Sequence, residues 1–214
     1  MAYDQNHPTL ATTLSNLGTS HRDLGKYIEA QKCLLRALTI QEKTYDQNHP
    51  TLATTLSNLG FNLIDLGKYE ESQKYLESAL TIQEMAYDQN YPTLATTLIN
   101  LGLNLRHLGK YEEAQKFLLR ALIIQEMAYE QNHPTLATTL SNLGLNLRDQ
   151  VQHEEAQKCL ERALTIQEMA YDQNHPTLAT TLSNLGSNLR HLGKYEEWQK
   201  YLERALTIQD MAYV

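Results

Sequence analysis

One phrase, Asp4-Gln-Asn-His-Pro-Thr-Leu-Ala-Thr-Thr-Leu-Ser-Asn-Leu-Gly18, recurs five times along this 214-residue chain with few changes. The five prolines are Pro8, Pro50, Pro92, Pro134 and Pro176, so every interval is 42 residues. A fixed period of this length is the signature of a solenoid. Each unit is too small to bury its own apolar face, and a core forms only when neighbours stack.

Each period reads as two helices around one glycine-bearing turn. From about Pro8 to Leu24, the residues Leu10, Ala11, Leu14, Leu17, Gly18 and Leu24 recur at spacings of three and four, which is one face of a helix. Proline suits the first helical position, because its missing N–H has no helical partner there. Either Asn6 or His7 is then the cap. Gly25 supplies the positive φ that a tight helix-to-helix turn needs. The second helix runs from Tyr27 to about Tyr45, with Tyr27, Ala30, Leu34, Ala37, Leu38 and Gln41 facing inward. On its outer side, Glu70 and Lys74 and their copies stand four apart and mark a solvated convex surface. Gly18, Gly60, Gly102, Gly144 and Gly186 fall mid-helix, where glycine costs about 1 kcal/mol relative to alanine. Their recurrence predicts a close approach of the second helix through Ala30, Ala37 and their equivalents. The expected fold class is all-α: one α-solenoid over residues 1–214, built of five antiparallel helix pairs, with repeats at approximately 1–45, 46–87, 88–129, 130–171 and 172–214.

A formal net charge of -7 argues against nucleic acid, whose binding rests on Lys and Arg neutralising phosphate. No apolar run approaches the ~20 residues that span a membrane. The first residues lack the basic-then-apolar pattern of a secretory leader. Cys33 and Cys159 occupy the same place in repeats one and four, too far apart to bridge. Two free thiols fit a reducing compartment, so a cytoplasmic protein is expected.

Leu-x-x-Leu-Gly in the first helix and Ala-x-x-x-Leu-x-x-Ala in the second resemble the tetratricopeptide repeat. The 42-residue period, the His-Pro start, and the runs Ala11-Thr-Thr-Leu-Ser-Asn-Leu-Gly18, Leu108-Gly-Lys-Tyr-Glu-Glu-Ala114 and Arg36-Ala-Leu-Thr-Ile40 are similar to its kinesin-light-chain subtype. The resemblance covers the whole chain. It implies a right-handed superhelix whose first helices line a concave groove, where an extended peptide of a partner protein lies.

Counting 100° per residue, the side of the first helix opposite its core stripe carries Thr12, Ser15, Asn16, Thr19 and Asp23, with Arg22 at the edge. Asn16, Asn58, Asn100, Asn142 and Asn184 form one row there. A second row holds Asn62, Asn104, Asn146 and Asn188, with Ser20 in repeat one. An amide offers both a donor and an acceptor, so it can clasp a peptide backbone without reading its sequence. The resemblance to kinesin-light-chain grooves gives asparagines of this helix that role. Alternatively, they bond the neighbouring helix and fix the repeat spacing. The first row is read here as the binding row and the second as the structural one.

Selectivity is expected where the repeats differ. The row Thr19, Phe61, Leu103, Leu145, Ser187 is apolar in the middle, and Ile64 and Ile99 extend it. Such a patch, rimmed by polar groups, either binds a ligand or packs on an adjacent first helix. Facing the groove, it would take one or two aromatic or aliphatic anchors. Arg106, Arg148 and Arg190 would favour acidic residues beside them.

His7, His49, His133 and His175 come once per repeat, with Tyr91 in repeat three, and so cannot converge on one metal ion. They are read as helix-start residues. His107 and His191 fall on the groove side. The sequence has no Gly-rich phosphate loop, Cys-x-x-Cys or Gly-x-Ser-x-Gly, and nothing sets a nucleophile beside a base. No cofactor, metal or enzymatic activity is expected. The leading expectation is a scaffold that binds an extended peptide of a protein partner. The alternative is a structural spacer, or an end-to-end self-assembling segment of a longer array, because the chain starts and stops in phase without a polar capping helix.

Two departures break the pattern. Repeat four replaces Leu-Gly-Lys-Tyr by Gln150-Val151-Gln152-His153, which predicts a distorted, weaker turn and the loss of a buried tyrosine. Repeat five puts Trp198 where Ala30, Ser72, Ala114 and Ala156 stand, too large for alanine spacing without splaying the helices, unless it covers an open end.

Overall fold

Proline opens each first helix and a left-handed residue closes it. The computed structural model describes residues 7–87 and 91–212, in two units of residues 1–109 and 110–214. The first unit contains α1 (Pro8–Asp23), α2 (Tyr27–Thr44), α3 (Pro50–Asp65), α4 (Tyr69–Ala86) and α5 (Pro92–His107). The second contains α6 (Tyr111–Ala128), α7 (Pro134–Asp149), α8 (His153–Ala170), α9 (Pro176–His191) and α10 (Tyr195–Ala212). No strand occurs among the described residues. The fold is therefore the expected all-α solenoid of helix pairs.

His7, His49, His133 and His175 hold the cap position in extended backbone. Each accepts at Nδ1 from the N–H two residues on, at 3.3–3.4 Å. This occupies one of the N–H groups that the start of a helix leaves without a helical partner. His7 is thus the cap of α1, and Asn6 lies outside the described residues. The rings of His49, His133 and His175 also stack on the tyrosine four residues earlier, as His49 does on Tyr45 at 4.2 Å. Tyr91 keeps the stack, at 4.5 Å from Tyr87, but makes no capping bond.

After the first helix, Gly25 donates to Arg22 O and Lys26 to His21 O, both at 2.8 Å, with Gly25 at φ 71°. Val151 adopts the same conformation at φ 64°, and the bonds from Val151 to Arg148 O and from Gln152 to Leu147 O are each 2.9 Å. The expected distortion is absent. The hydrogen bonds of the turn hold a β-branched residue in the left-handed region, so the misfit is conformational strain instead. The second correction concerns the tyrosine. Tyr69 and Tyr111 are half-buried, and so is His153 in their place. It stacks on His191 at 4.8 Å, as Tyr69 stacks on His107 at 4.8 Å.

In the first unit, α1 packs on α2 and α3 on α4, and α2 and α4 each pack on the next first helix. The first helices α1, α3 and α5 also touch in sequence. In the second unit the same pattern links α6 to α7, α7 to α8, α8 to α9 and α9 to α10, with α7 touching α9. The core is mostly leucine and alanine. Leu34, Leu38, Leu59 and Leu63 cluster in the first unit, and Leu160, Leu164, Leu185 and Leu189 in the second. Leu59 is fully buried because the preceding second helix covers it, whereas its counterpart Leu17 is 44% exposed on α1. Ile40, Ile82, Ile124, Ile166 and Ile208 form a further buried row, which the inward stripe drawn from the sequence omits.

The mid-helix glycines do mark close approach. A Cβ on Gly60 would lie 2.5 Å from Leu76 Cγ, and on Gly18 or Gly144 it would lie 2.7 Å from Leu34 or Leu160. The neighbouring side chain is thus leucine rather than alanine, and Ala30 contributes its backbone carbonyl at 3.3 Å. Repeat five is looser. At Gly186 the nearest atoms are Trp198 Cδ1 at 3.2 Å and Leu202 Cδ2 at 3.4 Å. Leu202 is 37% exposed, where Leu76 and Leu160 are fully buried. Trp198 is half-buried against the core of this pair and lines the open face of α10.

Candidate functional site

The two asparagine rows do different work. Asn62, Asn104, Asn146 and Asn188 are fully buried. Each Nδ2 donates to the carbonyl of the residue that starts the preceding second helix: Tyr27, Tyr69 and Tyr111 at 3.0 Å, and His153 at 2.8 Å. These bonds tie successive repeats together. Within the first row, Asn16 is exposed, and Asn58, Asn142 and Asn184 are half-buried. None of these four amides is hydrogen-bonded among the described residues. Asn100 departs from its row, at 5% exposure, and offers a ligand almost no surface.

The open amides border two equivalent hollows. One, of about 270 Å³, lies between α1 and α3 and is lined by Thr12, Asn16, Gln41 and Thr55. The other, of about 420 Å³, lies between α7 and α9, where Thr138, Asn142, Gln167 and Thr181 occupy the same repeat positions. Leu145 and Asn184 complete the second hollow. Among the described residues, no charged one lines either hollow.

A glutamine from the second helix reaches each hollow. Gln41 and Gln167 are almost completely buried, and their Oε1 atoms have no partner among the described residues. Gln125 differs, since its Oε1 accepts from Thr139 Oγ1 at 2.6 Å. Ser15 is buried rather than open to the groove, and its hydroxyl accepts from Thr55 Oγ1 at 3.5 Å. Ser57 accepts from Thr97 at 3.2 Å. Ser141 Oγ, by contrast, is buried without a partner. The sequence places Gln41 on the inward stripe without assigning it a role. The available signal was a polar residue recurring at Gln83, Gln125, Gln167 and Gln209 on an otherwise apolar face.

The apolar row is only partly available. Phe61 is half-buried, and the Arg22 guanidinium lies 3.4 Å from its ring centroid while Nε donates to Asp65 Oδ2 at 2.6 Å. Ile99, Leu103 and Leu145 are half-buried. Ile64 does not extend the patch, because it is 6% exposed. The physical reason lies in its row. Arg22 and Arg148 are longer at the same position, and their guanidinium heads reach the Asp65 and Asp149 carboxylates near the surface, whereas isoleucine ends inside. Arg106 is half-buried, and Arg148 faces Asp149 at 3.2 Å. Arg190 is exposed, with its guanidinium 5.4 Å from the Trp198 ring.

Other groups raised by the sequence have local explanations. His107 and His191 are held in the ring stacks already described. Both cysteines are free, and burial pushes the Cys159 thiol above its ordinary value. Among the described residues, no three metal-ligating side chains cluster, and no helix is long and apolar enough to cross a membrane. Two further faces are apolar. α1 exposes Leu17, with Leu24 exposed just past its end, and α10 exposes Tyr195, Leu202 and Leu206 around a hollow of about 340 Å³.

Comparison with known proteins agrees with this geometry. A search of curated proteins gives no match. Among solved structures, the chain is similar to a Podosopora anserina protein described by its kinesin light chain nearly identical TPR-like repeats. The TM-score is 0.77 at 23% identity, covering 96% of this chain and 98% of that one. It is also similar to BtubC (BKLC) from P. vanneervenii, with TM-score 0.81 at 23% identity over 96% of this chain and 82% of that one. MamA from Desulfovibrio magneticus RS-1 gives 0.63 at 16% identity over 94% and 96%. These likenesses are of fold. The tetratricopeptide repeat family model matches residues 9–85, 51–126, 93–169 and 135–211. With matches that overlap from residue 9 to residue 211, the chain belongs to the tetratricopeptide repeat family.

Proposed function

We propose that the chain is a protein-interaction scaffold that holds an extended segment of a partner along the first helices of its repeats. One observation carries this reading. The hollow between α1 and α3 recurs, position for position, between α7 and α9, with unbonded amides at its edge. A repeated array of donors and acceptors suits a ligand that repeats the same groups, and an extended peptide backbone does so. Asn16, Asn58, Asn142 and Asn184 hold that backbone in this account. Leu145, Leu103, Ile99 and the open part of Phe61 offer apolar contact to one or two anchors. Arg190 is the exposed cation available to an acidic neighbour.

Selection from a random peptide library on the full chain tests the reading, followed by Asn142→Ala combined with Asn184→Ala. These two are chosen over Asn100 because they are open. Two lost hydrogen bonds, at about 0.5–1.5 kcal/mol each, correspond to a roughly tenfold loss of affinity. The melting temperature should not change. Unchanged affinity would remove the asparagine row from the mechanism, and failure to select any peptide would overturn the reading.

The apolar faces favour a second reading, end-to-end association. On α8, helix α9 helps to cover Leu160 and Leu164, the equivalents of Leu202 and Leu206. Because α1 repeats much of the α9 sequence, α1 of a second copy fits the open α10 face. Light scattering over a concentration series decides this, since a mass that stays monomeric throughout rejects it.

A further inference from the structure

We infer that the hollow between α7 and α9 is a side-chain pocket for a primary amide, so that the bound segment places an asparagine or glutamine there. The inference rests on the groove reading and adds what the groove selects.

Two buried polar atoms meet this hollow without a partner, Gln167 Oε1 and Ser141 Oγ. The glutamine oxygen is unpaired at Gln41 and Gln83 as well, but only in this hollow, among the described residues, is the serine hydroxyl beside it unpaired too. Gln125 Oε1 takes the Thr139 hydroxyl at 2.6 Å, and Ser15 and Ser57 take those of Thr55 and Thr97. In the α1–α3 hollow only the glutamine oxygen is unpaired, whereas in the α7–α9 hollow both atoms are. Leaving a buried polar atom unpaired is unfavourable by about 1–3 kcal/mol, so a ligand that supplies the missing partner recovers that energy on binding.

The chemistry narrows the occupant. Gln167 Oε1 can only accept, so the ligand must present a donor there. Ser141 has an O–H to give, so the ligand must also present an acceptor. A primary amide carries both on one rigid group. A carboxylate would bring lone pairs against Gln167 Oε1, with no cation among the lining residues to compensate. An ammonium would enter without an anion. A serine or threonine hydroxyl is short for a hollow of about 420 Å³ and would leave the Leu145 wall uncovered. The methylenes of a glutamine lie against that wall, while Asn142 and Asn184 at the rim take the backbone on either side. Selectivity at this pocket is thus for a neutral amide over an isosteric acid, unlike the acidic preference drawn from the arginine row.

The test begins with peptides selected on the full chain from a random twelve-residue library. Asparagine or glutamine should be enriched at one position. Remaking a selected peptide with glutamate at that position should weaken binding at least tenfold. Ser141→Ala, which removes the hydroxyl that donates to the amide oxygen, should weaken the glutamine peptide at least threefold without lowering the melting temperature. The variant should fold, because Ile99 stands at the equivalent position in repeat three. If peptides bind with no enriched amide, if the glutamine and glutamate forms bind equally, or if Ser141→Ala leaves the affinity for the glutamine peptide intact, the pocket assignment fails and the groove reading stands. If no peptide binds, the groove reading fails and takes the assignment with it.

Discussion

Val151 puts the turn chemistry to a test in which little else changes. Its φ of 64° is a conformation that L-residues adopt at a penalty of roughly 1–2 kcal/mol, and β-branching does not ease it. The side chain is 74% exposed, so Val151→Gly removes little buried surface. Both hydrogen bonds of the turn use backbone N–H groups that glycine keeps. Against the relieved strain stands the greater freedom of glycine in the unfolded chain, about 0.5–1 kcal/mol. The net expectation is a stabilisation of about 0.5–1 kcal/mol, or roughly 1–4 °C in melting temperature for a chain of this size. Thermal and urea unfolding followed by far-ultraviolet circular dichroism measure it. Gly67→Val is the reciprocal change, since Gly67 has φ 70° and nothing lies within 4 Å of an added Cβ. It should lose a comparable amount. Restoring all four residues of the turn is less clean, because Gln150 Nε2 donates to Gln115 Oε1 at 3.1 Å and His153 Nδ1 lies 3.2 Å from Asn188 Oδ1. If Val151→Gly melts no higher than the parent and Gly67→Val melts unchanged, the strain argument is wrong.

Four further outcomes follow from the packing and the helix caps. Gly60→Ala should destabilise, because overpacking against Leu76 at 2.5 Å, about 1–3 kcal/mol, outweighs the ~1 kcal/mol gained in helix propensity. Gly186→Ala, whose nearest neighbour is at 3.2 Å, should be neutral or stabilising by up to ~1 kcal/mol, and thermal melts of the two variants rank them. Asn146→Ala deletes the bond to Tyr111 O and should lower stability by about 1–2 kcal/mol in urea unfolding, while leaving the affinity for a selected peptide unchanged. Tyr91→His supplies the capping nitrogen that repeat three lacks and should raise stability by about 1 kcal/mol, visible as a higher melting temperature.

The helices were legible in the sequence because proline and glycine act through local backbone geometry. Pro8 and Gly25 restrict or permit φ wherever they stand, so element borders follow from them alone. Burial is less local. Leu17 and Leu59 follow the same run of residues from Pro8 and Pro50, yet Leu59 lies under a preceding second helix and Leu17 does not. Ile40 lies beside the inward stripe, and its burial depends on a neighbour that a single helical wheel does not contain. Ile64 and Arg22 share one position, but side-chain length decides which reaches water. The second asparagine row is structural as the sequence suggested, because residues one turn on point at the preceding repeat. The unpaired state of Gln167 and Ser141 was not legible, since a pattern of residue types does not say whose hydroxyl turns toward whom.

Photo-crosslinking reads the central claim directly. A library-selected peptide carrying a benzophenone is irradiated on the full chain, and the attachment points are located by mass spectrometry. The groove account predicts attachment on the first helices, at residues such as Thr138, Asn142, Leu145 and Thr180. Attachment confined to the outer faces of the second helices, at residues such as Glu154 and Lys158, would contradict it.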